Sequence, residues 1–286
     1  MSDAAHAELF DHPVYTYPNA VKPAIESWDT PPNYRDRPGG EGLPDKIKVW
    51  RVQDSGKTYG SVVARYFGFE DSPDAEIVAY GYNEGKEYRA VGIGRHGNVL
   101  QWGYSCEPSR MTEAGRALFL NCIWYIRQFD GRTPLVHVSC SDRTNVLALA
   151  GIINRVSGDQ KEFFLRNFPA DLYDTYHDDP DGLTRLYEEN LERVYRDHGY
   201  RIDEDVKALG LSSNRTPATL ERVIASLDDP DKASTARRIL QRYCLDDFET
   251  PSQWRDWFHA HKDRIYFTDV GGYKFMVLPE GYLDWP

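Results

Sequence analysis

An α/β domain followed by a mainly α-helical domain is the fold class this sequence predicts, and three observations predict it. Short β-branched and aromatic runs, most of them separated by Gly, Pro or Asp turns, fill residues 47–104. One strongly apolar helical stretch, 112–129, follows them. After Asp130-Gly131-Arg132-Thr133-Pro134 the character changes to charged amphipathic helices. The predicted division is therefore an α/β domain over 1–133 and an acidic helical domain with a C-terminal β-hairpin over 134–286. A chain of 286 residues has the length of two domains and buries roughly three quarters of its unfolded surface.

Taken in order, residues 11–44 are rich in Pro, Gly and Asp (PPNYRDRPGGEGLP) and show no period of 2 or 3.6. That predicts an irregular segment laid over the surface and pinned by Tyr15, Tyr17 and Trp28. Strands are predicted at 47–53, 61–67, 76–82, 88–93 and 98–104. The helix 112–129 is apolar on most of its circumference (Leu118, Phe119, Cys122, Ile123, Trp124, Ile126), so it should be covered on two sides. In the second half, 142–156 and 183–197 read as helices. Helices at 217–227 and 232–243 pair around Asp228-Asp229-Pro230, and Thr216-Pro217 supplies an N-cap with proline at the first helical position. Thr250-Pro251-Ser252-Gln253 repeats that signal with a capping-box glutamine before the Trp254, Trp257, Phe258 face. The chain closes with a hairpin, 264–268 and 273–278, turning at Gly271-Gly272.

Bulk charge excludes some partners. The net charge is -11, and residues 159–249 hold 21 acidic against 13 basic side chains, which is 8 of the 11 excess negatives. Phosphate backbones and anionic membranes repel such a surface, so neither nucleic acid nor membrane is expected as a partner. No apolar run approaches the ~18 residues that span a bilayer. The N-terminal MSDAAHAELFDHP lacks the basic and apolar regions of a secretory signal, which gives a cytoplasmic expectation, or an extracytoplasmic one if the chain is a fragment. Cys106, Cys122, Cys140 and Cys244 form no C-x-x-C pair and have no regularly spaced histidines beside them, so neither a zinc site nor a disulfide framework is expected, and no cofactor is assigned. Cys122 falls inside the apolar helix and reads as packing.

Several motifs dissolve on inspection. Gly92, Gly94 and Gly97 in VGIGRHGNVLQWGYSCEP spell G-x-G-x-x-G, but a dinucleotide site needs the third glycine to open a helix whose free N–H groups hold the pyrophosphate. The next residues, Asn98-Val99-Leu100-Gln101-Trp102, read as a strand, so His96-Gly97-Asn98 is the tip of a β-hairpin. Asp54-Ser55-Gly56-Lys57-Thr58 ends like a phosphate loop, yet Arg51 stands where its first glycine belongs, leaving a polar turn. In His177-Asp178-Asp179-Pro180-Asp181-Gly182 the first calcium-ligating position is His177, and the acidic cluster instead suits the N-terminus of a helix beginning near Leu183. His259 and His261, two apart on a helix, point about 200° away from each other and cannot share an ion. The run 69–76 brings Glu70, Asp71, Asp74 and Glu76 into one acidic turn, and Cys106 has no nucleophile elbow around it.

The hairpin and helix NVLQWGYSCEPSRMTEAGRALFLNCIWYI resemble the last strand and last helix of the class I glutamine amidotransferase-like fold, in particular its trehalose-utilisation (ThuA-like) branch. The resemblance covers residues 10–133, includes Asp11-His12-Pro13, and implies the C-terminal half of a flavodoxin-like sheet with a covering helix. In glutaminases of this fold the closing strand leads into Gln-Phe-His-Pro-Glu, whose His and Glu complete a triad with an elbow cysteine. Aligned on Gln101-Trp102, those positions fall on Gly103 and Ser105, so the resemblance implies a domain without the usual glutaminase chemistry. The C-terminal TDVGGYKF resembles uncharacterised proteins that carry helical repeats beside a ThuA-like domain.

Three functions are carried forward. The first is a catalytically degenerate, carbohydrate-associated binding or interaction module, with Arg95, Trp102 and Tyr104 as ligand-contacting candidates for a sugar or other small molecule. The second is a carbohydrate-metabolism enzyme with a site built from Glu70, Asp71, Arg95 and His96, which requires these four side chains to converge in one pocket. The third is a scaffold whose helical half recruits a protein partner.

Overall fold

Gly97 has φ +55°, and the register His96↔Val99 makes Gly97-Asn98 a two-residue turn between extended segments. In the computed structural model, which describes residues 1–282 apart from 36, 38, 41, 58–59, 156–161 and 163, the backbone past Gly97 is a strand, as the sequence requires. Thr58 of the rejected phosphate-loop match lies outside the described residues. The chain divides into two compact units, Met1–Leu135 and Val136–Pro286.

In Met1–Leu135, β1 (Ala4–His6), β2 (Ile25–Asp29) and β3 (Lys46–Arg51) form one sheet in the order β1-β3-β2. The strands β4 (Ala75–Tyr80), β5 (Val91–His96) and β6 (Val99–Trp102) form a second in the order β4-β5-β6. A bridge between Ala5 and Gly81 links β1 to the chain just past β4. Two single-turn helices, α1 (Pro32–Arg35) and α2 (Phe67–Glu70), and the long α3 (Glu113–Ile126) complete the unit. The α/β class holds. A flavodoxin-like sheet is parallel, however, and every strand pair among the described residues is antiparallel; for β5 and β6 the two-residue turn Gly97-Asn98 leaves no other sense.

Thr112 caps α3 by accepting from the Gly115 N–H at 3.0 Å, and the helix buries Leu118, Asn121 and Cys122 against Trp50, Val78 and Ile93. Its opposite face is not covered as expected: Leu120, Ile123 and Trp124 are exposed. The predicted strand 61–67 is replaced by isolated bridges at Ser61 and Ala64, after which α2 sets Phe69 over Gly94. Conversely, the segment expected to be irregular contains β2 and α1. An edge strand half exposed along its whole length, as β2 is, carries no apolar alternation to read. Tyr15 does pin this segment, donating to Val78 O at 3.3 Å, whereas Tyr17 is exposed.

The described residues of Val136–Pro286 include the helices α4 (Asn145–Ala150), α5 (Ala170–Tyr176), α6 (Pro180–Asn190), α7 (Glu204–Ala208), α8 (Pro217–Ala225), α9 (Ala233–Tyr243) and α10 (Pro251–His261). Asp179 is the N-cap of α6, its carboxylate accepting from Gly182 N–H, which accounts for the acidic run there. Thr216 and Thr250 cap α8 and α10, the latter with the full capping box. The helix predicted over 183–197 stops at Asn190. Residues Val194–Arg196 (β7) instead pair with Tyr200–Ile202 (β8) around His198 and Gly199, both at positive φ. The closing hairpin, β9 (Ile265–Thr268) with β10 (Lys274–Val277), forms in the expected place. Trp254, Leu220, Ile239 and Phe258 centre the core beneath it.

Candidate functional site

Successive strand residues point to opposite faces, so Arg95 and His96 at the end of β5 part company. The Arg95 guanidinium lies 3.7 Å over the Phe129 ring, donates to Gly97 O at 2.8 Å and pairs with Glu76. Glu76 also accepts from Tyr125 Oη at 2.8 Å and lies 3.4 Å from His12 Nε2. Burial alone would raise the Glu76 pKa, but the bonds from His12, Arg95 and Tyr125 outweigh it and hold the carboxyl at about 2.

On the other face, His96 Nε2 is 3.2 Å from both Ser72 Oγ and Asp74 Oδ1. The Ser72 hydroxyl donates to Asp74 at 2.5 Å, and Leu135 N–H donates to the second Asp74 oxygen at 2.9 Å. Burial opposes the Asp74 charge, and the bonds from His96, Ser72 and Leu135 outweigh it, lowering the pKa. A serine, a histidine and an aspartate thus meet without making a nucleophilic relay. A relay needs the imidazole to reach the hydroxyl with one nitrogen and the carboxylate with the other. Here one nitrogen faces both, and the serine proton is held by the carboxylate.

Glu70 binds Arg89 at 2.5 Å, and burial raises its pKa against the pull of that arginine. Asp71 ends α2. Trp102 packs edge-on against Phe119 and Tyr104, with ring centroids 5.0 and 5.6 Å apart, and Tyr104 is buried. The six predicted residues are therefore neighbours along two strands and a turn, with Trp102 and Tyr104 in contact, while Arg95, His96 and Glu70 each answer to a different partner.

The two positions aligned with the triad histidine and glutamate are also filled by structure. A Cβ on Gly103 would stand 2.3 Å from Val62 O and 2.6 Å from Gly92 O, both backbone atoms. Ser105 Oγ donates to Gly60 O. Next to it, the Cys106 N–H donates to Gln53 Oε1 at 2.9 Å, and the Gln53 amide in turn reaches the buried Asp3 carboxylate at 2.7 Å.

Sequence reasoning missed a second constellation, inside Val136–Pro286. A cleft of about 450 Å³ is walled by Arg196 of β7, Arg238 and Arg242 of α9, and Lys274 of β10. Beneath its arginines runs a chain of hydrogen bonds: Arg242 to Asp203 at 2.7 Å, Tyr243 Oη to Asp203 at 2.5 Å, Asn214 to Tyr243 at 3.0 Å and Arg143 to Asn214 at 3.1 Å. The i,i+4 pair Arg238/Arg242 was visible in the sequence, but nothing local places Arg196 and Lys274 beside it. Among the described residues no group of three or more His, Cys, Asp or Glu is arranged to hold a metal ion, and no helix is long and apolar enough to cross a membrane.

Comparison with protein-family models, with curated proteins and with solved structures finds no match to this chain.

Proposed function

We propose that the chain works by binding and not by hydrolysis, as a catalytically degenerate module whose likeness to the amidotransferase-like (ThuA-like) fold is confined to the closing hairpin and helix, its sheets being antiparallel. The observation that carries this reading is Gly103. On the alignment suggested by the closing strand it stands where the triad histidine would, and the Val62 and Gly92 carbonyls leave no room there for any side chain. The neighbouring candidates support the same reading, since His96 is spent on Ser72 and Asp74, and Arg95 on Glu76 and Phe129. A sugar or other small molecule is the ligand class that goes with the likeness. The alternative enzyme site of Glu70, Asp71, Arg95 and His96 is not adopted, because Arg95 and His96 leave β5 on opposite faces.

Two measurements test the reading. Purified protein incubated with glutamine should release ammonia no faster than buffer, and release that disappears in Cys106→Ala would overturn the proposal. Calorimetric titration with mono- and disaccharides should give heat, and its absence across such a panel removes the carbohydrate ligand.

A further inference from the structure

Residues 159–249 carry 8 of the chain's 11 excess negative charges, yet the cleft beside α9 is walled by four cations. Two of these are already matched. Arg238 holds Asp205 at 2.6 Å, and Arg242 holds Asp203 at 2.7 Å and Asp205 at 3.0 Å, so both guanidinium groups are fixed in place while keeping N–H donors unspent. The other two are not: among the described residues neither Arg196 nor Lys274 has a carboxylate partner. Arg196 lies against the Tyr200 ring at 5.7 Å, and Lys274 Nζ donates to the Arg242 carbonyl at 2.6 Å. Burial lowers the Lys274 pKa, the expected response of an ammonium group taken out of water without an anion beside it.

We propose that this cleft binds a phosphate monoester. The cations that line it come from three separate elements, β7, α9 and β10. A carboxylate offers two oxygens in one plane and suits a single bidentate arginine. A phosphate monoester offers three oxygens spread around an axis and can take donors from β7, α9 and β10 together. Its charge of about -1.5 to -2 at neutral pH is attracted by the two cations that lack a carboxylate partner. The cleft has the size of a small-molecule site, so an organic group attached to the phosphate fits beside Gln241. Among the described wall residues Asp197 is the one acid, and its carboxylate is turned to His198 Nδ1 at 2.7 Å. The site lies wholly within Val136–Pro286 and does not depend on the amidotransferase likeness.

Titration calorimetry of the full chain at low ionic strength, with inorganic phosphate, phenyl phosphate and acetate as probes, tests the proposal. Both phosphates should bind and acetate should bind roughly tenfold more weakly or not at all. Arg196→Gln and Lys274→Met should each weaken phenyl phosphate roughly tenfold or more, the scale of losing a charged hydrogen bond. Gln241→Glu, which adds an acid to the wall at an exposed position, should do the same with an unchanged melting temperature. No heat with either phosphate, acetate binding as tightly as phosphate, or variants that bind like the parent protein would overturn it.

Discussion

Arg143 and Asp269 form a two-bond pair, Nε to Oδ2 at 2.7 Å and a terminal guanidinium nitrogen to Oδ1 at 2.6 Å, with both side chains at most 5% exposed. Arg143 also donates to the Leu191 carbonyl and to Asn214, so almost every N–H of a buried cation is matched. Burial works against that charge, and the bonds and field of Asp269 more than reverse it, leaving the Arg143 pKa raised. Removing one partner strands the other. Asp269→Asn or Arg143→Met should each cost about 3–5 kcal/mol in denaturant unfolding. A loss below about 1 kcal/mol for either would mean the pair is not carrying the hairpin loop.

His6 gives a pH dependence. It is fully buried among Tyr34, Tyr80, Tyr82 and Tyr88, stacked on Tyr88 with ring centroids 4.5 Å apart. Tyr34 Oη accepts from Asn83 N–H at 2.9 Å, so its own proton is aimed at His6 Nε2, 3.0 Å away. That arrangement wants a neutral imidazole, and burial lowers the pKa to about 3. The folded value lies below the unfolded one near 6.5, so the stability it confers is complete above pH ~6.5 and falls as pH drops toward 3, by about 1.4 kcal/mol per unit. Burial raises the pKa values of Tyr34, Tyr82 and Tyr88, further away from that range. Between pH 6 and 5 the unfolding free energy of His6→Phe should therefore fall less steeply than that of the parent, by about that slope, and parallel curves would refute the assignment.

What could be read ahead was whatever a short stretch of chain decides alone. The Gly97 turn, the Thr216 and Thr250 caps and the β9–β10 hairpin all follow from a few neighbouring residues, and each forms. The misreadings share another cause. Residues 194–202 alternate Val, Tyr and Arg within a charged run, and only the positive-φ pair His198-Gly199 decides for a hairpin over a helix. The candidate site was legible as a set of neighbours but not as a set of partners. Glu76, His12 and Ser72, which bind Arg95 and His96 or share their partners, lie 19 to 83 positions away from them, a pairing no local pattern encodes. The cation-walled cleft, assembled from three elements, is hidden for the same reason.

Close approach of α3 to Val52, the residue that follows β3, should make Gly115 intolerant of substitution. A Cβ there would sit 1.9 Å from Val52 O, the carbonyl that also accepts from Thr112 N–H at 3.0 Å. The clash is with backbone, so the helix must move, taking Leu118 and Cys122 out of register with Trp50 and Val78. Gly115→Ala should cost about 3 kcal/mol despite alanine's better helix propensity, whereas Gly85→Ala, which meets nothing within 4 Å, should stay within about 0.5 kcal/mol. Equal melting temperatures for the two variants would show that α3 is not seated this closely.

Tyr243 is the middle of the polar chain that connects the buried Arg143 to the cleft arginines. Its hydroxyl donates to Asp203 at 2.5 Å and accepts from Asn214 at 3.0 Å, so Tyr243→Phe leaves a buried amide donor short of one bond and a carboxylate short of another. Each orphaned group costs about 1–3 kcal/mol. Asn214→Ala removes the same contact from the other side and also strips Arg143 of an acceptor. If the residues act as one network, the double variant should be less destabilised than the sum of the two single losses, by about 1 kcal/mol or more. Strict additivity would mean that the tyrosine hydroxyl packs beside Asn214 without coupling to it. In that event the orientation of Arg242 would rest on Asp203 and Asp205 alone, and Tyr243→Phe would leave anion binding in the cleft untouched.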